Sequence, residues 1–492
     1  MTIATGTLRG NVSAQGRSFM GIPYAAPPTG ALRFRRPQPA LPWQGVRDAT
    51  QPAASCPQNS ALLATSEDCL FLNVHTPPSA ESAKLPVMVW FHGGGYFWGA
   101  GADYDPTPLV SKGKAIVVTV NYRLQALGFL ALPQLAAESN TAGNYGILDQ
   151  QASLRWVRDN IGAFGGDPGN VTIFGESSGG HSVCMQLISP GARGLFHRAI
   201  MESGTCVNSV FDPHPAPVAY ARGASVAASV GCTDPATQVA CMRGKPVDQL
   251  LRAGTQPNSW RDFWFTPTID RTVIKEPTSR ALSSGRYSHV PILSGSNREE
   301  GRLFVATLWH QVQGRSATEP ELREEIRALA GEVTPEMLAA YPPESPGNAD
   351  VAVSRVITDA RFACAALFTS RAVLPYSGPN VYEFEFTDPN PPYSKTLDPT
   401  WDLAAYHTSE MYYLFKVVMG LPTTGLDGAQ TQLSNQMIKY WTTFARTGDP
   451  NGAGSPTWPP YTAASEQIQR LDPQRVAPFT TFSVDHECGL WG

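Results

Sequence analysis

Val171-Thr172-Ile173-Phe174-Gly175-Glu176-Ser177-Ser178-Gly179-Gly180-His181-Ser182-Val183 is the stretch on which the reading of the fold turns. Val171 to Phe174 is a β-branched and aromatic run, the composition of a buried strand. Gly175-Glu176-Ser177-Ser178-Gly179 follows with the pattern G-x-S-x-G, and the apolar run through Leu187 continues as a helix. A strand that turns sharply through this pattern into a helix holds its serine in a strained conformation, hydroxyl exposed. Glycines are needed beside it because a Cβ there would strike the adjoining strand or helix. The helix beginning at Ser178 aims its free N–H groups at the same point, where they would stabilise negative charge. Three fixed residues of common types also occur by chance, so the surroundings must give the pentapeptide its meaning.

Those surroundings alternate between apolar β-rich runs and helical stretches. Strands are expected at Val87–Phe91, Ile116–Asn121, Val171–Phe174, Ala199–Glu202, Ile292–Gly295 and Val381–Phe386. Helices are expected at Leu148–Ile161, Gly180–Ile188, Glu319–Leu329 and Thr431–Arg446. Such alternation predicts an α/β fold with a large, mostly parallel central sheet flanked by helices. The Pro/Ser/Gly-rich stretches at 76–83, 342–349 and 387–400 are only loop-sized. The expectation is therefore one domain over residues 1–492, with long helical insertions.

Composition excludes several classes. Apolar residues make up 42% of the 492, enough for one large core, and the net charge is −4 with no basic run. Nucleic acid is therefore not an expected partner. No uncharged apolar run reaches the roughly 18 residues of a membrane span. Met1-Thr2-Ile3-Ala4 runs straight into strand-like sequence, so a secretion signal is expected to be absent or already removed. Of eight cysteines, Cys56 and Cys69 bracket one short loop and Cys232 and Cys241 another, as stapled surface loops do. Cys184, inside an apolar helix, reads as a buried thiol. The staples favour a secreted or periplasmic protein, with the cytoplasm as the alternative.

A serine nucleophile needs a base, an acid to orient the base, and donors for the developing oxyanion. His92-Gly93-Gly94-Gly95 directly follows the Val87–Phe91 strand, and its bare backbone can approach a ligand closely. Gly94, Gly95 and Ser178 are the expected oxyanion donors. The acid should leave a later strand. Pro291-Ile292-Leu293-Ser294-Gly295 is such a strand, and in the loop after it Glu299 and Glu300 compete for the role. The base must follow the acid, which leaves His310, His407 and His486. His407 sits among aromatic residues, Ala405-Tyr406-His407 and Met411-Tyr412-Tyr413, where an imidazole can be held dry.

The chain resembles the type B carboxylesterases, the family of cholinesterases, bacterial para-nitrobenzyl esterases and fungal lipases. The resemblance covers nearly the full length. It is carried by Phe19-Met20-Gly21-Ile22-Pro23-Tyr24-Ala25, Ser66-Glu67-Asp68-Cys69-Leu70, His92–Gly95, Asn121-Tyr122-Arg123, Gly143-Asn144-Tyr145-Gly146 and the elbow itself. It implies an α/β-hydrolase fold and a serine carboxylesterase with no metal or cofactor. It makes Ser177 the nucleophile, Glu300 the triad acid and His407 the base. It further implies disulfides Cys56–Cys69 and Cys232–Cys241, with Cys364–Cys488 as the pairing found in some members, and ion pairs Arg33–Glu67 and Arg123–Asp149. Ser178 departs from the alanine usual in the family. Only its backbone N–H is required, so little loss is expected. Glu176 would either add negative potential near the imidazolium or be merely structural.

The expected partner is a small-molecule ester, met by a monomer or weak homo-oligomer. Cys56 and Cys69 enclose only Pro57 to Asp68, too short for the long lid of the fungal lipases and without an aromatic residue. Tyr96, Phe97 and Trp98 are expected near the cleft, at least one of them in the core. Arg261-Asp262-Phe263-Trp264 resembles the acyl-pocket segment of the family. Arg261 and Phe263 would then contact the acyl group, and Arg261 would favour carboxylated acids. The competing readings are a lipase, an esterase for one natural product, or a non-catalytic cholinesterase-like binding domain.

Overall fold

Eleven strands form one sheet at the centre of the protein, seen in a computed structural model that describes residues 1–59, 64–78, 80, 83–207, 211–254, 265–378, 380–398 and 400–492. In chain order the strands are β1 (Asn11–Ser13), β2 (Gly16–Pro23), β3 (Phe71–Thr76), β4 (Leu85–Phe91), β5 (Ile116–Val120) and β6 (Gly166–Glu176). They continue with β7 (Arg198–Glu202), β8 (Ile292–Asn297), β9 (Val381–Phe386), β10 (Ile468–Leu471) and β11 (Ala477–Phe479). Their spatial order is β11-β10-β9-β8-β7-β6-β4-β5-β3-β2-β1. From β10 to β5 all neighbours run parallel, whereas β11 and the β3, β2, β1 edge are antiparallel. The mostly parallel α/β architecture expected from the alternation is therefore present. The antiparallel edge escaped the strand assignment because Phe71–Thr76 carries Asn73 and His75 in place of a continuous apolar run.

Strand β4 shows why the sheet is buried on both faces. Successive side chains of a strand point to opposite sides. Val87, Val89 and Phe91 enter one core layer, while Met88 and Trp90 enter the other, all fully buried. Helices α1 (Tyr145–Asn160) and α2 (Ser178–Ile188) cover the first layer with Leu154, Val157, Val183 and Leu187. Helix α3 (Gly428–Thr447) covers the second with Leu433, Met437, Trp441 and Phe444. Its start is set by a reciprocal cap. Asp427 Oδ1 accepts the Gln430 N–H, and Gln430 Oε1 accepts the Asp427 N–H. Its end is set by Gly448 at φ 84°.

Four disulfides tie the chain. Cys56–Cys69, Cys232–Cys241 and Cys364–Cys488 are the pairs the family resemblance implied. The fourth corrects the reading of Cys184 as a free buried thiol: it is bonded to Cys206. The parallel crossover from β6 through α2 to β7 lays the helix over the segment that leaves β7. Cys184 and Cys206 then meet with Cα atoms 5.4 Å apart, a proximity that sequence spacing does not disclose.

Several buried charges are paired. Arg33 grips Glu67 with two hydrogen bonds of 2.7 and 2.6 Å, and Arg123 grips Asp149 with 2.7 and 2.8 Å. Near the C-terminus His486 lies between Asp359, 2.6 Å from Nδ1, and Glu385, 2.8 Å from Nε2. Burial alone would lower the imidazole's pKa, but hydrogen bonds to both carboxylates reverse that and hold it at about 9. The Cys364–Cys488 bond fastens the same segment. No helix among the described residues is long and apolar enough to cross a membrane.

The His486 clamp makes stability pH-dependent. A His whose folded pKa of about 9 exceeds its ordinary value near 6.5 binds a proton that the unfolded chain has already released. Its contribution is complete below about pH 6.5 and is lost as pH rises through about 9. His486→Gln removes the imidazolium from Asp359 and leaves Glu385 with Arg298, 3.1 Å away, and should cost roughly 3 kcal/mol at neutral pH. Urea unfolding across that pH range checks both. A variant as stable as the parent at neutral pH would contradict the clamp.

Candidate active site

The elbow forms as its sequence predicts. Strand β6 ends at Glu176, helix α2 begins at Ser178, and Ser177 between them takes φ 57°, ψ −125°. That conformation is strained for a residue with a side chain. It is held by the Ser177 N–H bonding to the Glu202 carbonyl at 2.9 Å and by its own carbonyl accepting the His181 N–H at 2.9 Å. The turn is tight enough to exclude side chains nearby. A Cβ on Gly179 would lie 2.0 Å from the Phe91 carbonyl oxygen. One on Gly93 would lie 2.6 Å from Glu176 Oε2 and 3.2 Å from Ser177 Cβ.

His407 and Glu300 arrive from elements far apart in sequence. Glu300 caps the loop after β8, is fully buried, and places Oε2 2.6 Å from His407 Nδ1. Its other oxygen accepts the Asn297 N–H at 2.7 Å, which fixes the carboxylate. Glu299, its competitor in the sequence, turns away: Oε2 accepts the Ala405 N–H at 3.3 Å and Oε1 lies 3.9 Å from Arg298. The imidazole is flanked by Phe304 and Phe362, with ring centroids 5.1 and 5.0 Å away. Its Nε2 lies 3.2 Å from Glu176 Oε1. The other two histidines after Glu300 are engaged elsewhere. His310 bridges Asp398 and Asp350, and His486 bridges Asp359 and Glu385.

Four carboxyl groups, those of Glu176, Glu202, Glu300 and Glu410, lie buried in this region. Burial, then Glu300 and Glu202, pushes Glu176 well above the usual carboxylate range. Burial pushes Glu202 to about 8, and burial with Glu176, Glu300 and Glu202 pushes Glu410 up strongly. Asn297 Nδ2 donates both to Glu410 Oε2 and to the Tyr406 carbonyl, tying the loop of Glu300 to that of His407. So many carboxyls cannot all ionise together in a dry interior. Burial and mutual repulsion therefore oppose ionisation of Glu176 and Glu410 beside the His407–Glu300 pair. Glu202, Asn297 and Glu410 had no motif in the sequence, and only the joining of three loops reveals them.

Ser177, His407, Gly94 and Gly95 all line one cavity of about 620 Å³, of a size for a small organic ligand. Gly94 and Gly95 have φ of 97° and 66°, and neither N–H is used in a hydrogen bond among the described residues. The glycine loop is secured from below. The Tyr96 N–H donates to Ser178 Oγ at 3.3 Å, and Gln58 bonds both the N–H and the carbonyl of Gly99. Phe97 and Trp98 line the cavity. Tyr96 does not: φ 63° turns it into the core, fully buried, with its hydroxyl on His181 Nδ1 at 3.0 Å. Its expected contact with substrate is thus corrected to a supporting role. Arg261 and Phe263 lie outside the described residues. Gln58, from the short Cys56–Cys69 loop, and Asp103 join the lining unannounced by any motif.

The model of the carboxylesterase family matches residues 1–491. Para-nitrobenzyl esterase of Bacillus subtilis (strain 168) is 34% identical over 485 residues, covering 96% of this chain and 94% of that protein. Carboxylesterase 1D of Rattus norvegicus is 34% identical over 514 residues, covering 93% and 87% respectively. Among solved structures, a PNB esterase superposes with a TM-score of 0.83 at 33% identity and 99% coverage of both chains. A thermophilic PNB esterase does so with 0.83 at 31% identity.

The Ser178 hydroxyl has a task beyond the backbone N–H that the sequence reading credited. Ser178→Ala removes the acceptor of the buried Tyr96 N–H and should destabilise the protein by about 1 kcal/mol. An unchanged urea midpoint would show that the hydroxyl is idle.

Proposed function

We propose, for a chain that belongs to the carboxylesterase family and is a carboxylic ester hydrolase, that it cleaves esters through an acyl-enzyme on Ser177. Ser177 Oγ attacks the ester carbonyl while His407 Nε2 takes its proton. Glu300, on Nδ1, fixes the tautomer and stabilises the imidazolium. The N–H groups of Gly94, Gly95 and Ser178 receive the oxyanion, each donor worth roughly 3 kcal/mol of barrier. His407 then protonates the leaving alcohol and activates the water that releases the acid.

The observation that carries this reading is the 2.6 Å contact of Glu300 Oε2 with His407 Nδ1. It leaves Nε2 facing Glu176, the residue next to Ser177. Glu176 is the neighbour that the forming imidazolium would meet.

The substrate reading is a small or medium ester. A preference for carboxylated acids would rest on Arg261, and the described lining supplies no arginine or lysine to support it. The lining is largely aromatic and aliphatic, with Phe97, Trp98, Phe211, Phe304 and Leu308 among it. That favours esters with apolar acyl groups. The four disulfides suit an oxidising compartment, and we place the protein outside the reducing cytoplasm, secreted or periplasmic.

Ser177→Ala should lower p-nitrophenyl butyrate turnover by at least about 10⁴-fold, and His407→Ala similarly. A radiolabelled organophosphate should mark the unaltered protein on Ser177. Turnover surviving in Ser177→Ala, or a label on another residue, would refute the assignment.

A further inference from the structure

Asp103 is the one carboxylate in the described lining of the cavity besides Glu176. It is only 6% exposed, yet no side chain donates to it and no cation pairs with it among the described residues. Its one favourable polar neighbour is the Ala100 backbone. Burial therefore pushes its carboxyl up to about 6, which still leaves it ionised at neutral pH. A charge withdrawn from water without a partner is costly, so a partner delivered by a ligand would relieve that cost.

The position of Asp103 is fixed. Its carbonyl accepts the Gly420 N–H at 3.1 Å, and the next turn of chain is pinned where the Asp105 N–H meets the Val417 carbonyl. Met419 and Leu421, from the same hairpin, also line the cavity. The adjacent Tyr104 ring feels Glu176 and Asp103 together, which places both acids on its side of the cavity. Aromatic faces surround the remaining space, among them Trp98, Tyr104 and Tyr412. No lysine or arginine is among the described lining, and His407 is its only basic side chain.

A buried unpaired carboxylate beside aromatic faces is the surrounding that an alkylammonium group prefers. The carboxylate accepts its N–H, and the ring faces attract its methyl and methylene groups through their quadrupoles. We propose that Asp103 forms a subsite for a protonated amine carried by the ester, so that the enzyme prefers aminoalkyl esters over neutral esters of the same shape. The inference rests on the ester-hydrolase reading and deepens it by naming a substrate class. It needs an N–H donor on the ligand, which distinguishes it from recognition of a fully substituted ammonium by aromatic faces alone.

The isosteric pair 2-(dimethylamino)ethyl butyrate and 3-methylbutyl butyrate tests it at neutral pH, where the first carries a proton on nitrogen. In Asp103→Asn the ratio of kcat/KM for the ammonium ester to that for the neutral ester should fall roughly tenfold, mostly through KM, and Asp103→Glu should keep much of it. A ratio unchanged in Asp103→Asn overturns the subsite while leaving ester hydrolysis standing. No turnover of either ester by the unaltered enzyme overturns both. A measurement without any variant guards against misfolding. Competitive inhibition of the unaltered enzyme by N,N-dimethylbenzylamine should be roughly tenfold stronger than by isobutylbenzene, its neutral isostere. Equal inhibition by the two overturns the proposal.

Discussion

The close approach of three backbone segments around Ser177 is the constraint on which the rest depends. Strand β4 ends at Phe91, strand β6 ends at Glu176, and helix α2 starts at Ser178. They meet at distances that no side chain could occupy, since a Cβ on Gly179 would sit 2.0 Å from the Phe91 oxygen. The glycine loop after β4 can reach the serine only because β4 and β6 are parallel neighbours in register, Phe91 against Gly175. The strain at Ser177 persists because hydrogen bonds from β7 and α2 over-determine it. Any shift in the sheet would move the serine and the glycine N–H groups apart together.

Around that fixed point the interior is unusually acidic. Glu176, Glu202, Glu300 and Glu410 are buried with one imidazole among them. In such a place burial pushes the carboxyls of Glu176, Glu202 and Glu410 up, while Glu300 meets the imidazole of His407. Asn297 links the two loops by its backbone to Glu300 and its side chain to Glu410. Asp103 joins Glu176 in the cavity lining, and no cation pairs with it among the described residues. Of these acids only Glu176 and Asp103 line the cavity.

Much of the site was legible in the chain because its chemistry is local in sequence. Gly175 to Gly179 had to be a tight turn, His92 to Gly95 had to be bare backbone, and the order serine, acid, histidine restricted the rest. Other residues were hidden for physical reasons. Glu299 and Glu300 differ by one position, and only the direction in which the loop leaves β8 decides which carboxylate meets His407. Tyr96 looked like a cleft residue because it follows the glycines, but a positive φ turned it inward. Cys184 looked solitary because its partner, Cys206, lies beyond a complete strand.

By itself, then, the sequence determined the α/β alternation, the strained serine, the glycine loop and the family, since each rests on residues adjacent in the chain. The tertiary structure decided what depends on segments meeting across the sheet. It set the carboxylate that meets His407, the buried acids around it, the fourth disulfide and the place of Asp103 in the cavity. Burial and partners are properties of the packed interior, and a charge's protonation and purpose are fixed only when that packing shows what surrounds it.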